Sequence, residues 1–586
     1  MTNPLLRRED IDFLLFDWLG TERLFERPTF ADYDRETAQA TLDLAERLAL
    51  DSFLPHYKEA DRIEPRIEDG SVRVLPAVRD AIHDFAEAGM CSLGFSERLG
   101  GIGLPFTICA ASYAWFAAAN IATAAYPMLT AANARLIATF GSPAQIDAFA
   151  RPQIAGEWLG TMCLSEPQAG SNLGDIHTRA AFDGQDELGH RYRLTGNKMW
   201  ISGGDQDISE NIVHLVLAKI PLADGTLPSG TAGISLFIVP KMLPGGTAND
   251  IAVAGLNHKM GYRGTANCLL NFGEGPGAVG WLVGREGDGL RQMFTMMNEA
   301  RINVGIGGAA LAYRAYRQAV TYARDRRQGR DSPDGPQTAI IEHPDVRRML
   351  MTQKVYAEGA LSLCLYAARL VDDAEEDPEA AALLALLTPI VKSWPAEFGL
   401  AANDLAIQVH GGYGYTRDFD VEQLYRDNRL NPIHEGTTGI QAIDLLKRKI
   451  LASPDGIAAL RSRVNETIVR ARLEPETRHY AVELRATWNE IESAVSSLRA
   501  CSPSAVLEHA TPFLRAIGHT VMAWLWLDQS VLANLFLKQA SAGNANLLQG
   551  KTAACDFFFS SELPHISAWL STISDNRLSD VSEEVF

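Results

Sequence analysis

"EARINVGIGGAALAYRAYRQAVTYARDRRQ", residues 299–328, decides the fold. Gly305, Gly307, Gly308 and Ala310 imitate the glycine-rich turn of a dinucleotide-binding unit. That turn must leave a strand and open a helix, so that phosphate meets the helix N-terminus. Here the residues before the glycines already read as helix, so the strand is missing. The stretch predicts one long helix whose small residues let neighbouring helices approach closely. A Rossmann fold is excluded on that ground.

The same periodicity extends downstream. Residues 343–373 and 381–412 carry two more long helical patterns, and a fourth follows Thr438, which together predict a bundle. Upstream the texture differs. "EWLGTMCLSE" (157–166), "RYRLTGNKMWIS" (191–202), "NIVHLVLAK" (211–219), "GISLFIVPK" (233–241) and "ANCLLNFG" (266–273) are short β-type runs with no helix between them. They predict a compact antiparallel β domain over 158–283. Residues 34–155 read as helices, including the patterns at 35–57 and 71–90, and 99–129 is apolar on nearly all sides, as in a buried helix. "ASPDGI" (452–457) marks a linker, beyond which residues 458 to about 570 are again helical. The expected class is mainly α with a central β domain. Its expected parts are an N-terminal helical domain (1–157), a middle β domain (158–283), a helical bundle (284–455) and a C-terminal helical extension (456–586).

A chain of 586 residues needs several cores, and 47% hydrophobic with 21% charged residues suits a globular protein. A net charge of -19 repels nucleic acid and anionic membrane. The seven cysteines form no CxxC pair, which suits a reducing cytoplasm and argues against disulfides or structural zinc. The N-terminus has no signal-peptide pattern, and no transmembrane segment is expected. The nearest apolar run, 521–537, is broken by Asp528 and Gln529.

Four polar stretches are candidates for chemistry. "NPIHEGTTGIQ" (431–441) begins like a zinc-binding HExxH, but Thr438 stands where the second histidine belongs, so no metal is expected. Glu435 is then either an acid near a helix start capped by Thr437 or Thr438, or a placed base. "SEPQAGSN" (165–172) is either a β-turn or a loop offering hydroxyls and backbone donors to a pyrophosphate. Trp200 and Ser202 in "NKMWISGG" (197–204) are either strand core or ligand wall. "HGGYGYTRD" (410–418) either ends a helix or admits a ligand against its glycines.

Taken in this order, "MCLSEPQAGSN", "NKMWISGG", the 296–328 helix and "QVHGGYGYTRDFDVEQLYRDNRLNPIHEGTTGIQ" (408–441) resemble the acyl-CoA dehydrogenase family over residues 35–450. The helical extension makes the chain similar to the long bacterial branch, which includes fatty acyl-CoA and 3-methylmercaptopropionyl-CoA dehydrogenases. The resemblance implies FAD held without a Rossmann fold, between the β domain and the bundle. Leu164, Ser165 and Ser171 match the loop at flavin and pyrophosphate, and Ser171 also the CoA arm; Trp200 and Ser202 match the strand against the ring. Arg326, Gln408 and Gly412 match contacts to the FAD of a neighbouring subunit, which implies at least a homodimer. Thr437 matches a cofactor contact. Asn298, Arg301 and Gly436 fall at substrate positions. Asn298 replaces the usual Asp, Gln328 and Gly329 stand where an aromatic is frequent, and Gly439 replaces a glutamine.

Glu435 matches the family's base. The implied reaction takes an α-proton from an acyl-CoA to Glu435 and a β-hydride to the flavin, giving trans-2-enoyl-CoA in fatty acid β-oxidation. Medium or long chains are favoured, with electrons passing to an electron-transfer flavoprotein. Alternatives are a 3-methylmercaptopropionyl-CoA dehydrogenase and an acyl-CoA oxidase. A DNA-binding relative is disfavoured, because residues 451–586 hold 11 Lys or Arg against 15 Asp or Glu.

Overall fold

A computed structural model of the chain describes residues 3–330, 332–539, 544–574 and 583–585, with the side chains of 295–298 and 504–505 left out. It divides into two compact units, Phe30–Ala300, and Met1–Thr29 with Arg301–Phe586.

In the first unit, helix Arg35–Leu48 starts where the Asp34 carboxylate accepts the Thr37 N–H at 2.8 Å. The pattern at 71–90 is not helical from its start, as periodicity suggested. Strands β1 (Arg66–Glu68) and β2 (Ser71–Arg73) form a hairpin there, and the helix begins only at Pro76. Asp69 and Gly70, at φ 52° and 76°, make the two-residue turn that an Asp-Gly pair favours. Helix Phe106–Phe140 is buried through most of its length, as expected.

Eight strands follow: β3 (Leu159–Cys163), β4 (Arg179–Asp186), β5 (Gly189–Ser202), β6 (Ile212–Lys219), β7 (Ile234–Pro240), β8 (Ile251–Leu256), β9 (Asn267–Phe272) and β10 (Ala278–Leu282). Their order is β10-β7-β6-β4-β5-β9-β8, and β10 also pairs with β5. The sheet is mixed, which corrects the antiparallel expectation: β3 runs parallel to β6, and β4 meets β6 in parallel at Arg179 and Lys219. Parallel neighbours need a crossover. Between β3 and β6 it is made by the 164–178 loop and the β4–β5 hairpin, so no helix is required. β6 and β7 are buried along their whole length, hence their mostly apolar runs, interrupted by the buried polar residues His214, Lys219 and Ser235. Leu215, Leu217, Leu236 and Ile238 pack into one core with Ile137 and Phe149. Val216, Ala218, Phe237 and Val239 pack into the other with Tyr192, Leu194 and Phe272.

In the second unit, helices Pro344–Asp373 and Pro378–His410 pack with the Arg301–Asp325 part of helix Gly289–Asp325. A Cβ on Gly305 would lie 2.2 Å from the Val391 carbonyl oxygen, and one on Gly308 3.0 Å from that of Pro395. These glycines serve helix packing. The extension contributes helices Asp455–Leu473, Arg478–Arg499, Pro503–Lys538, Ala545–Phe557 and Pro564–Ser571. It is joined to the bundle by buried polar contacts. Lys551 reaches Asp10 at 2.6 Å and Glu358 at 3.3 Å, the Tyr356 hydroxyl donates to Glu562 at 2.6 Å, and the Trp394 indole donates to His519 at 3.0 Å.

Helices Phe106–Phe140 and Val506–Lys538 are long and apolar enough to cross a bilayer, which the broken run at 521–537 did not suggest. Their apolar windows are 89% and 67% buried inside the protein, so that surface belongs to the core.

Candidate active site

Glu435 lies in the loop between helices Val421–Asn428 and Thr438–Ile443. A chain of amides anchors this loop to the bundle. Asn431 donates to Asn428 at 2.9 Å, Asn428 to Asn403 at 2.6 Å, and Asn403 to the Leu311 carbonyl at 3.1 Å. Glu435 and Gly436 are both left-handed, at φ 52° and 87°. For glutamate that conformation costs about 1–2 kcal/mol, so the surroundings must impose it. Two side chains do so: Gln441 donates to the Glu435 carbonyl at 2.9 Å, and Lys392 to the Gly436 carbonyl at 2.7 Å. The Thr437 hydroxyl accepts the Ile440 N–H at 3.3 Å and caps the following helix.

Among the described residues neither the Glu435 carboxylate nor its backbone N–H has a hydrogen-bond partner. The side chain is half-buried. Burial raises its pKa above the usual carboxylate range, and the charges of Lys392 and Arg301 oppose the rise without cancelling it. A carboxylate that is shielded, unpaired and made more basic suits proton abstraction. Arg301 is itself buried and donates to Asp444 at 2.9 Å, and among the described residues its Nε has no partner. The side chain of Asn298 lies outside the described residues.

In the β domain the structure brings Leu164 and Ser165 close to Trp200. Met199 N–H donates to the Ser165 carbonyl at 3.0 Å, and Lys198 donates to the Leu164 carbonyl at 2.9 Å. The Lys198 ammonium also meets Glu166 at 3.0 Å, both buried. Glu166 further accepts from His177 N–H (2.6 Å), Thr178 N–H (3.0 Å), the Thr178 hydroxyl (2.6 Å) and Gln168 (2.8 Å). Burial would raise its pKa, but the Lys198 charge and these donors outweigh burial and bring it to about 2. Just beyond, the β5–β9 register shifts between Lys198 and Ile201, and Trp200 stands at φ 66° with 57% of its surface exposed. A strained bulge thus holds an indole face in the open. Ser171 is exposed, Gly170 has open space beside it, and the Ser202 hydroxyl accepts from Asn267 at 3.3 Å.

A cavity of about 450 Å³ in the bundle unit is lined by Tyr322, Arg326, Gln328, Ile340, Val409, His410, Gly411, Gly412, Tyr413 and Thr416. Arg326 and Gly412 therefore share one cavity, while Gln408 is exposed on the adjoining helix turn. Gln328, one of the sequence departures, is part of its wall. In the β domain the open indole platform beside hydroxyl-bearing loops fits a planar ring such as that of a flavin, and in the bundle unit, taken by itself, the arginine-bearing cavity fits a phosphate-bearing group. Lys392, Gln441 and the Glu166–Lys198 pair were missed by motif reading. A single lysine inside "LLALLTPIVKSW" (383–394) was the one available signal.

This order of helical, β and helical parts, matched by family models along the chain, is that of flavin-dependent oxidoreductases. Sequence models of four domains match this chain: "Acyl-CoA dehydrogenase, N-terminal domain" (35–157), "middle domain" (161–274), "C-terminal domain" (287–450) and "Acetyl-CoA dehydrogenase C-terminal like" (460–579). The 3-methylmercaptopropionyl-CoA dehydrogenase of Ruegeria pomeroyi is 35% identical, covering 96% of each chain. The broad-specificity linear acyl-CoA dehydrogenase FadE5 of Mycobacterium tuberculosis is 32% identical over 98% of each. An acyl-CoA dehydrogenase complexed with FAD from Bacillus anthracis shares the fold, with a TM-score of 0.75, 20% identity, and coverage of 93% of this chain and 88% of that one. The chain belongs to the acyl-CoA dehydrogenase family, oxidoreductases that act on acyl-CoA and use FAD.

Proposed function

We propose that this protein converts a linear acyl-CoA thioester to the trans-2-enoyl-CoA, with Glu435 as the base. The observation that carries the reading is the unpaired, basicity-raised carboxylate of Glu435 on a loop clamped at both neighbouring carbonyls. A thioester α-hydrogen is too weak an acid for an ordinary carboxylate in water. Glu435 gains basicity from burial, and its unengaged backbone N–H is available to the thioester oxygen as charge develops there. The α-proton passes to the Glu435 carboxylate. FAD, when bound, would supply the acceptor for the β-hydrogen with its electron pair, and the pair left behind by the α-proton becomes the second bond between Cα and Cβ.

Leu164, Ser165, Ser171, Trp200 and Ser202 would hold the cofactor's ring and pyrophosphate. Thr437 would hold it beside the base, and Ser171, Asn298, Arg301 and Gly436 would serve the substrate. Arg326, Gln408 and Gly412 would serve the cofactor of a second subunit in a homodimer. Electron-transfer flavoprotein is the proposed acceptor.

Medium or long straight chains are the preferred substrates in this reading; the relative named for broad specificity toward linear acyl-CoA supports a straight chain. The 35% identical relative supports a second reading, 3-methylmercaptopropionyl-CoA. Steady-state rates across an acyl-CoA series that includes the sulfur compound separate them: the highest kcat/KM falls on a medium or long chain in the first, and on methylmercaptopropionyl-CoA in the second. Dye reduction without oxygen consumption is expected, and the reverse would make the enzyme an oxidase.

A further inference from the structure

Lys392 sits on helix Pro378–His410 among buried Ile390, Val391 and Trp394, and is itself fully buried. Among the described residues no carboxylate comes within ion-pair distance of it. Its one hydrogen bond runs to the Gly436 carbonyl at 2.7 Å. The charged and titratable groups facing it are Glu435 and His434 on the loop and Arg301 on the neighbouring helix, which is paired with Asp444. A buried ammonium without a counter-ion is unfavourable in a packed core. Burial brings its pKa down to about 8, while Glu435 pulls the other way and Arg301 adds to the fall. Packing alone would be better served by a methionine.

We propose that Lys392 is a positioning residue for the dehydrogenation: it captures the Gly436 carbonyl, holding Glu435 in its left-handed turn, and sets a positive charge beside a carboxylate that has no ion pair. The inference rests on the reading of Glu435 as base. Two geometric facts support it. Gln441 holds the carbonyl of the Glu435–Gly436 peptide link and Lys392 that of the Gly436–Thr437 link, so two successive links of the turn are fixed. The Lys392 charge also opposes the burial that makes Glu435 a weaker acid, leaving it ionised at lower pH than burial alone would allow.

The test uses the flavin-loaded enzyme in three variants. Lys392→Met removes both bond and charge; Lys392→Gln keeps a donor for Gly436 but removes the charge; Glu435→Gln tests the base independently. Without the charge Glu435 is harder to ionise, so the acid limb of kcat/KM moves to higher pH, by about one unit, in both lysine variants. Amide hydrogen exchange over residues 431–441 quickens in Lys392→Met and stays near wild type in Lys392→Gln. kcat falls about tenfold or more in Lys392→Met with little change in KM, because the loop misplaces the base. An acid limb at the wild-type position in Lys392→Gln overturns the proposal, and so does unchanged loop exchange in Lys392→Met. If Lys392→Met does not fold, the acid limb of Lys392→Gln decides alone. Full activity in Glu435→Gln would instead remove the base reading itself, an outcome distinct from either lysine result.

Discussion

Glu166 and Glu435 each lie next to a buried lysine, Lys198 and Lys392; Trp200, two residues after Lys198, is in left-handed backbone, and so is Glu435 itself. Their acidities move in opposite directions. Glu166 receives its lysine directly at 3.0 Å, together with four other donors, and falls to about 2. Glu435 receives none among the described residues, where Lys392 spans instead to the Gly436 carbonyl, and burial raises it. Seclusion alone therefore does not make a carboxylate reactive. What separates a structural acid from a basic one here is whether the lysine reaches the carboxylate, as Lys198 does besides the Leu164 carbonyl, or only the backbone beside it, as Lys392 does.

The largest effect should come from breaking the saturated pair. Lys198→Met leaves Glu166 buried without its counter-charge and should lower stability by about 3–5 kcal/mol, read from urea denaturation. The acid side of the stability curve follows from the same pair. The folded pKa of Glu166 lies below its unfolded value, so its contribution is complete above pH 4.5 and fades as pH falls toward about 2. Glu166→Gln should flatten the curve in that window. An unchanged curve would show that the pair does not govern it.

Glu435→Gln should behave in the opposite way. Flavin stays bound, dehydrogenation drops roughly 10²-fold or more, and thermal stability holds or rises. The sign follows from a folded pKa above the unfolded one: ionising Glu435 costs stability at neutral pH, and glutamine removes that cost. Flavin bleaching by substrate at near wild-type rate would refute the base assignment.

Smaller effects sharpen the contrast inside the loop. Gly436→Ala puts a Cβ at φ 87°, 2.6 Å from the Gln441 amide nitrogen, and should cost about 1–2 kcal/mol in denaturation midpoint experiments. Thr437→Ala removes a helix cap and should cost about 1 kcal/mol, with Thr437→Ser restoring most of it. A Gly436→Ala protein as stable as wild type would mean that the loop is not held in its left-handed form.

Much of this molecule was legible from the chain because local periodicity reports local structure. The long helices, the β-rich middle and the placement of Glu435 ahead of a capped helix all follow from side-chain spacing and turn residues. Gly305 and Gly308 were read correctly as packing glycines, since the helical run before them left no room for a strand. The Asp69–Gly70 hairpin was legible too, but the helical period around it masked it. The parallel pairing of β3 with β6 joins residues 53 positions apart, as Leu159 with Ile212, and leaves no mark in either strand's own pattern. Nor could spacing say that Lys198 would meet a carboxylate as well as a carbonyl and Lys392 a carbonyl without a carboxylate, for the two residues have identical chemistry and differ only in what the folded chain sets in front of them. Residue type sets which bonds a side chain is able to make, whereas burial and the geometry of distant segments select the one it makes.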